Sequence, residues 1–251
     1  MSEPGRVVDA HVYPIDIDGG PQLSAVAAVA EFLTAERLDD VVLVSRDLEL
    51  LRTHVAASPR VHGMLWVDPR RSADLESAEL ALDERSVVGL KLHPGLDGIH
   101  PDDPATHAVY DLASRYGVPV AIHCGTPSGS PFTLPWAIER AVVRYPTVRF
   151  VLAHMGYCVF EFHEAAMQLA ERRENVWLDI SGMPHNWRVR EAVDRVGAER
   201  VIYGSAAPWH HPRLEREKVR RSDLTPEEAR RILGENAAEL FLESPTREAD
   251  R

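Results

Sequence analysis

The chain has 251 residues, with 28 Lys and Arg against 39 Asp and Glu, a net charge of −11. That deficit of positive charge speaks against nucleic acid or an anionic membrane as a partner. Hydrophobic residues at 45% leave material for a large core, and the two cysteines, Cys124 and Cys158, exclude a disulfide framework and a thiolate zinc site.

The N-terminal stretch MSEPGRVVDA carries no apolar leader. AVAAVAEFL, the longest apolar stretch, is too short to span a bilayer, so the expectation is a cytoplasmic protein. Strand-length apolar runs then alternate with helical patterns. RVVDAHVYP (6–14) precedes PQLSAVAAVAEFLTAERL, and DVVLVSRD (40–47) precedes LELLRTHVAAS. VHGMLWVDP (61–69) is followed by ADLESAELALDE, and VVGLKLHPG (87–95) by PATHAVYDLASRYG. VPVAIHCGT (118–126) and VRFVLAHMG (148–156) come next, then NVWLDISG (175–182) and RVIYGSAAPW (200–209), each with its helix.

Near-continuous apolar runs suit strands covered on both faces, and Gly or Pro stands just past several helices, as in RYG-VP and RYP-TV. Eight such units predict the α/β class: a (β/α)8 TIM barrel, one domain over 1–251, with C-terminal helices over 213–243 packed on it. An open doubly wound sheet would carry GxGxxG in its first turn, and HVYPIDIDGG does not.

Barrel sites are built at the C-terminal ends of strands. Those ends carry His11 and Tyr13, Arg46 and Asp47, Trp66 and Asp68, Lys91 and His93, His123 and Cys124, His154 and Tyr157, Asp179 and Ser181, and Ser205 and Ala206. One histidine there is commonly a satisfied core group. Four from different strands, His11, His93, His123 and His154, point to a single polar mouth, because burying them unpaired would cost free energy.

VVDAHVYP, GLKLHP, AIHCG, LAHMG, WLDISG, YGSAAPW and the tail TPEEARRILGENAAELF occur in this order. With them the chain resembles the amidohydrolase superfamily, in its amidohydrolase 2 branch. The resemblance implies a barrel enzyme using a divalent metal, Zn2+ foremost, with His11 and His123 as metal ligands and His154 orienting substrate or working as acid and base. Two positions depart from the family pattern. Tyr13 stands where the second imidazole of H-x-H belongs, and Ala206 where the general-base aspartate of G-[ST]-D-x-P belongs. Ala206 reads either as natural or as an engineered aspartate-to-alanine change. Phenol is a poor zinc ligand, so weak or absent metal is expected. Tyr13, Lys91, His123 and His154 then remain to bind and polarise a carbonyl oxygen.

Lys91 reads as an unmodified ammonium that anchors a carboxylate or carbonyl, or as the partner of Asp9 or Asp179. His93, Trp66, Trp209 and Arg46 are the expected substrate-binding residues, with Trp187 and Phe132 as further candidates for a pocket wall. Cys124 alternates away from His123 and reads as packing. TPSGSPFTLPW (126–136) is a candidate lid, and His210-His211 read as a surface turn. The leading functional expectation is hydrolysis of an amide, ester or lactone. The alternatives are a non-oxidative decarboxylase of the same family and a non-catalytic ligand-binding barrel. A small molecule is the expected partner, and a homodimer paired through helices stays open.

Overall fold

The computed structural model describes residues 5–18, 22–125 and 130–243. Eight parallel strands pair in sequence order: β1 (Val8–Val12), β2 (Asp40–Ser45), β3 (Val61–Trp66), β4 (Gly89–Leu92), β5 (Val120–His123), β6 (Phe150–Ala153), β7 (Val176–Asp179) and β8 (Val201–Ile202). First and last strands meet through three backbone bonds: Ala10 N–H to Tyr203 O (3.2 Å), Ala206 N–H to His11 O (2.7 Å) and Tyr13 N–H to Ala207 O (2.7 Å). These bring the two edges of the sheet together, and the fold is the predicted (β/α)8 barrel of a single domain.

Each strand is greasy on both faces because both are covered. Val41, Leu43, Ile122, Leu152 and Leu178 belong to the large core between strands and helices. Val8, Ala10, Val42, Val44, Met64 and Val151 fill the barrel's own interior. The helices run as α1 (Val26–Ala35), α2 (Leu48–Ala57), α3 (Ser72–Asp83), α4 (Pro94–Asp97), α5 (Pro104–Tyr116), α6 (Pro135–Arg144), α7 (Phe160–Arg172), α8 (Asn186–Val196), α9 (Pro212–Arg220) and α10 (Pro226–Arg230). None is long and apolar enough to cross a membrane among the described residues. The first helix starts later than its sequence pattern suggests. Ser24 is held by Asp16 through its N–H (2.9 Å) and hydroxyl (2.6 Å), which keeps the chain extended up to Ala25.

Thr225 and Glu228 form the capping box legible in TPEE: Thr225 Oγ1 accepts from Glu228 N–H (3.2 Å) and Glu228 Oε2 from Thr225 N–H (2.8 Å). Beyond α10 the helical path continues in wider turns to Leu242. Ala237, Ala238, Leu240 and Phe241 there join the barrel-interior cluster. A Cβ added at Gly89, the first residue of β4, would lie 3.5 Å from the Phe241 ring. The C-terminal segment therefore plugs the end of the barrel where the strands begin, leaving the other end for a site.

At that other end the loops after β5 and β6 touch backbone to backbone. A Cβ added at Gly125 (φ +84°) would stand 2.2 Å from the Gly156 carbonyl carbon. Gly125→Ala is expected to cost about 3 kcal/mol or more. The measurement is the urea midpoint of unfolding, and an unchanged midpoint would contradict this packing.

Candidate active site

The strand ends converge as the sequence predicts. A cavity of about 480 Å³ opens there, floored by Tyr13, His93, His123, His154 and Ala206 and walled by Arg46, Trp66, Tyr157, Trp209 and His210. The rings form a continuous series. Trp66 stacks on His93 (centroids 5.4 Å apart), His93 on His123 (3.8 Å), His123 meets His154 edge-on (4.7 Å), and His154 stacks on His11 (5.0 Å). At the rim the Arg46 guanidinium lies 3.9 Å over the Trp66 ring and pairs with Asp97, which also accepts from the Trp66 indole at 3.2 Å.

His11 reaches the centre because the pairing of β1 with β2 shifts register between Asp9 and Val12. Its Nδ1 is 2.8 Å from Asp179 Oδ2 and its Nε2 is 2.8 Å from the Tyr13 hydroxyl. The Lys91 ammonium lies 3.4 Å from the same Nε2. Ser181 links the imidazoles: its Oγ is 2.9 Å from His154 Nδ1 and 2.8 Å from Asp179 Oδ2, to which it donates. Asp9 does buttress the first strand. It accepts from Ser205 N–H (2.7 Å), His11 N–H (3.3 Å) and the Tyr203 hydroxyl (3.3 Å).

Burial dominates the electrostatics. It pushes His93 down to about 3 and Lys91 down to about 8, the latter resisted by the Asp179 charge. His123 and His154 fall well below the ordinary histidine value, by burial and then by neighbouring positive charge. Burial also pushes Asp9 up to about 7 and raises the Tyr13 phenol, so that phenol stays protonated. Asp179 is the exception. Burial favours its neutral form, but the hydrogen bond and charge of His11 hold it well below the usual carboxylate range.

Backbone strain gathers at the same end. His154 (φ +72°), Met155 (+45°), Gly156 (+96°) and Tyr157 (+59°) are consecutive left-handed residues, and Ala206 (+52°) is another. Such conformations cost of order 1 kcal/mol each for non-glycine residues and cluster at functional sites. The position of Ala206 is one where aspartate, which tolerates left-handed backbone, would sit more easily than alanine.

Most expected site residues meet here. Tyr13, Arg46, Trp66, His93, His123, His154, Ala206 and Trp209 line the cavity, whereas His11 and Lys91 lie just beneath its floor, at 3% and 0% exposure. Cys124 is buried in the outer core, as alternation implies. Phe132 and Trp187 do not line the cavity; they pair with His100 and with Phe160 and His185. One expectation is corrected. His210 is not a surface residue but lines the cavity, 3.4 Å from the Tyr157 hydroxyl, because the chain doubles back before α9; His211 caps that helix. Residues 126–129 of the candidate lid lie outside the described residues. Tyr157, named among the strand-end residues, also lines the cavity; sequence reasoning missed the inward position of His210 and the bridging role of Ser181. The last could have been found from its spacing two residues after Asp179.

A divalent ion, which the resemblance implies, can be tested against these donors. His11, His154 and Asp179 offer ligand atoms within 4.8 Å of one another, and His123 Nδ1 is buried without a hydrogen-bond partner. Yet the three grouped residues already bond one another or Ser181, and neither His11 nor Asp179 lines the cavity. On the cavity side, Tyr13 occupies His11 Nε2, the Lys91 ammonium stands beside it, and Ala206 offers a methyl group. A catalytic site needs three protein ligands and an open position facing substrate. The residues present do not fit one.

Two outcomes follow. Protein dialysed against Mn2+ or Zn2+ is expected to retain well under one equivalent by elemental analysis, whereas Tyr13→His combined with Ala206→Asp is expected to retain about one. Stoichiometric uptake by the unaltered chain would contradict the donor analysis. Separately, the folded chain releases the Lys91 proton near pH 8 while the unfolded chain keeps it to about 10.5. Stability from this group therefore rises with pH across that window. Lys91→Met should flatten the rise in urea midpoint.

Comparison with known proteins gives a consistent picture. The amidohydrolase family model described as Amidohydro_2 matches residues 8–242. No curated protein matches the chain. Among solved structures, 5-carboxyvanillate decarboxylase from Sphingomonas paucimobilis superposes with a TM-score of 0.74 at 14% identity, covering 94% of this chain and 98% of that one. For 2,6-dihydroxybenzoate decarboxylase from Rhizobium the values are 0.75, 15%, 95% and 99%. A dihydroxybenzoic acid decarboxylase from a Polaromonas species, with bound manganese and the inhibitor 2-nitroresorcinol, gives 0.73, 13%, 95% and 97%. At such identities the structural likeness speaks for the fold alone; the family rests on the matched sequence. The chain belongs to the amidohydrolase family.

Proposed function

We propose that the chain is a lyase that removes CO2 from a small, flat, hydroxyl-bearing aromatic acid. Support comes first from the cavity: about 480 Å³, walled by Trp66, Tyr157 and Trp209 and floored by imidazoles that burial keeps neutral. A ring fits such a space, and clefts of this size take small ligands. Buried Lys91, charged below about pH 8, adds a positive potential beneath the floor for a carboxylate. Several proteins of similar fold are decarboxylases of hydroxylated benzoic acids.

Position 206 weighs against hydrolysis. Activating water needs a base, and the residue at the family's base position is a methyl group. Decarboxylation has the opposite need: a protonated group that can give a proton to carbon as CO2 leaves. Tyr13 lines the cavity and stays protonated because burial raises its phenol. The observation that carries the reading is this pairing of a flat aromatic slot with an acid, and no carboxylate base, at its floor. His123, which lines the cavity floor as a neutral imidazole, is the group we assign to hold the substrate's oxygen.

The test is CO2 release from a panel that includes 2,6-dihydroxybenzoate and 5-carboxyvanillate, the acids of the similar folds. At least one hydroxylated benzoate is expected to turn over, with His123→Gln lowering kcat/KM by about a hundredfold. Ester or lactone hydrolysis with no CO2 release would sink the reading.

A further inference from the structure

Tyr13, His11 and Asp179 form an unbroken hydrogen-bonded series leading from the cavity into the barrel. Only Tyr13 faces the cavity. Its hydroxyl is 2.8 Å from His11 Nε2, and His11 Nδ1 is 2.8 Å from Asp179 Oδ2. The direction of the bonds follows from the acceptor at the far end. Asp179 also receives Ser181 N–H at 2.8 Å and the Ser181 hydroxyl at 2.8 Å, so it is an ionised carboxylate that only accepts. His11 must then carry its proton on Nδ1, which leaves the Nε2 lone pair for the Tyr13 O–H.

We propose that this series is the proton relay of the site, with Tyr13 the catalytic residue that exchanges a proton with substrate and His11 and Asp179 the positioning residues behind it. The order hydroxyl, imidazole, carboxylate is the one that activates nucleophiles elsewhere by fixing the imidazole tautomer and stabilising its protonated form. Here it stands where the second imidazole and the base carboxylate are missing. Lys91, 3.4 Å from His11 Nε2, opposes a second proton on that ring, while Asp179 favours it. His11 thus holds a transferred proton weakly and returns it.

For its substrate the relay rests on the lyase reading. The substrate hydroxyl passes its proton to Tyr13 Oη as the Tyr13 proton moves to His11 Nε2. The same path then returns a proton through Tyr13 to the ring carbon that bears the carboxylate, forming the new C–H bond. The C–C bond to the carboxylate breaks, its electron pair flows through the ring onto the substrate oxygen, and CO2 departs. Water reprotonates that oxygen, so one proton is taken up for each CO2 released.

The relay is testable without a substrate. Benzenesulfonyl fluoride brings a flat ring of suitable size to the cavity. Attack by Tyr13 Oη on sulfur forms an S–O bond, expels fluoride with the S–F electron pair and sends the phenolic proton to His11 Nε2. Peptide mapping by mass spectrometry is expected to place the label on Tyr13, with Asp179→Asn and His11→Gln each slowing it by about a hundredfold. Asp179→Asn keeps the side-chain shape, and circular dichroism reports whether either variant is folded. Label on other tyrosines only, or a folded Asp179→Asn protein labelled at the original rate, overturns the relay. If no acid in the panel releases CO2 but labelling follows the relay, the lyase reading fails and the relay stands. If an acid does turn over, Tyr13→Phe should lower its kcat by about a hundredfold with KM little changed; an unchanged kcat removes Tyr13 from catalysis.

Discussion

A buried carboxylate has to be solvated by the protein, and the hydrogen bonding of Asp179 sets the arrangement of nearly everything at the barrel mouth. Buried at 2% exposure, it remains ionised only because His11 and Ser181 direct three N–H and O–H groups at it. Those donors fix the tautomer of His11, which fixes the bond to Tyr13. Ser181 carries the same constraint to His154. Four strands distant in sequence, β1, β4, β6 and β7, are thereby tied to one charge and its counter-charge at Lys91. Losing the acceptor would leave misoriented rings, and a buried Lys91 without the opposing charge that raises its pKa, in a medium of low dielectric where each is costly.

The fold was legible because its grammar is periodic. Runs such as DVVLVS and PWAIERAVVR announce strand and helix by their apolar pattern alone, and eight repetitions leave little choice of architecture. Strand-end chemistry was legible for the same reason: in a barrel, position along a strand translates into position in space. The pocket's far wall was legible only in part. Tyr157 stands among the strand-end residues of the sequence, but His210 belongs to an irregular segment after β8, whose direction depends on left-handed backbone and on close glycine contacts rather than on any period. Reading adjacent histidines as divergent was sound for His211, which turns away to cap α9, yet the same divergence is what sends His210 inward.

Tyr13 and Ala206 are best understood together. They belong to the segments that leave β1 and β8, which are bonded edge to edge through Tyr13 N–H to Ala207 O and Ala206 N–H to His11 O. A change in one of these residues alters the environment of the other at close range. Ala206 adds no charge near the floor, and burial raises the Tyr13 phenol. The outcome is a floor of neutral groups above a buried carboxylate, Asp179, and a buried amine, Lys91. That combination differs in kind from a site built to hold a doubly charged cation.

The segment that plugs the lower end of the barrel is contributed by Ala237, Ala238, Leu240 and Phe241. All eight strands precede these residues in the chain. Without them the hydrophobic bore would stand open to water at one end, and β4 would lack the ring that packs against Gly89. The cylinder is thus corked by a segment that follows all eight strands in the chain, from the side of the molecule opposite the polar mouth.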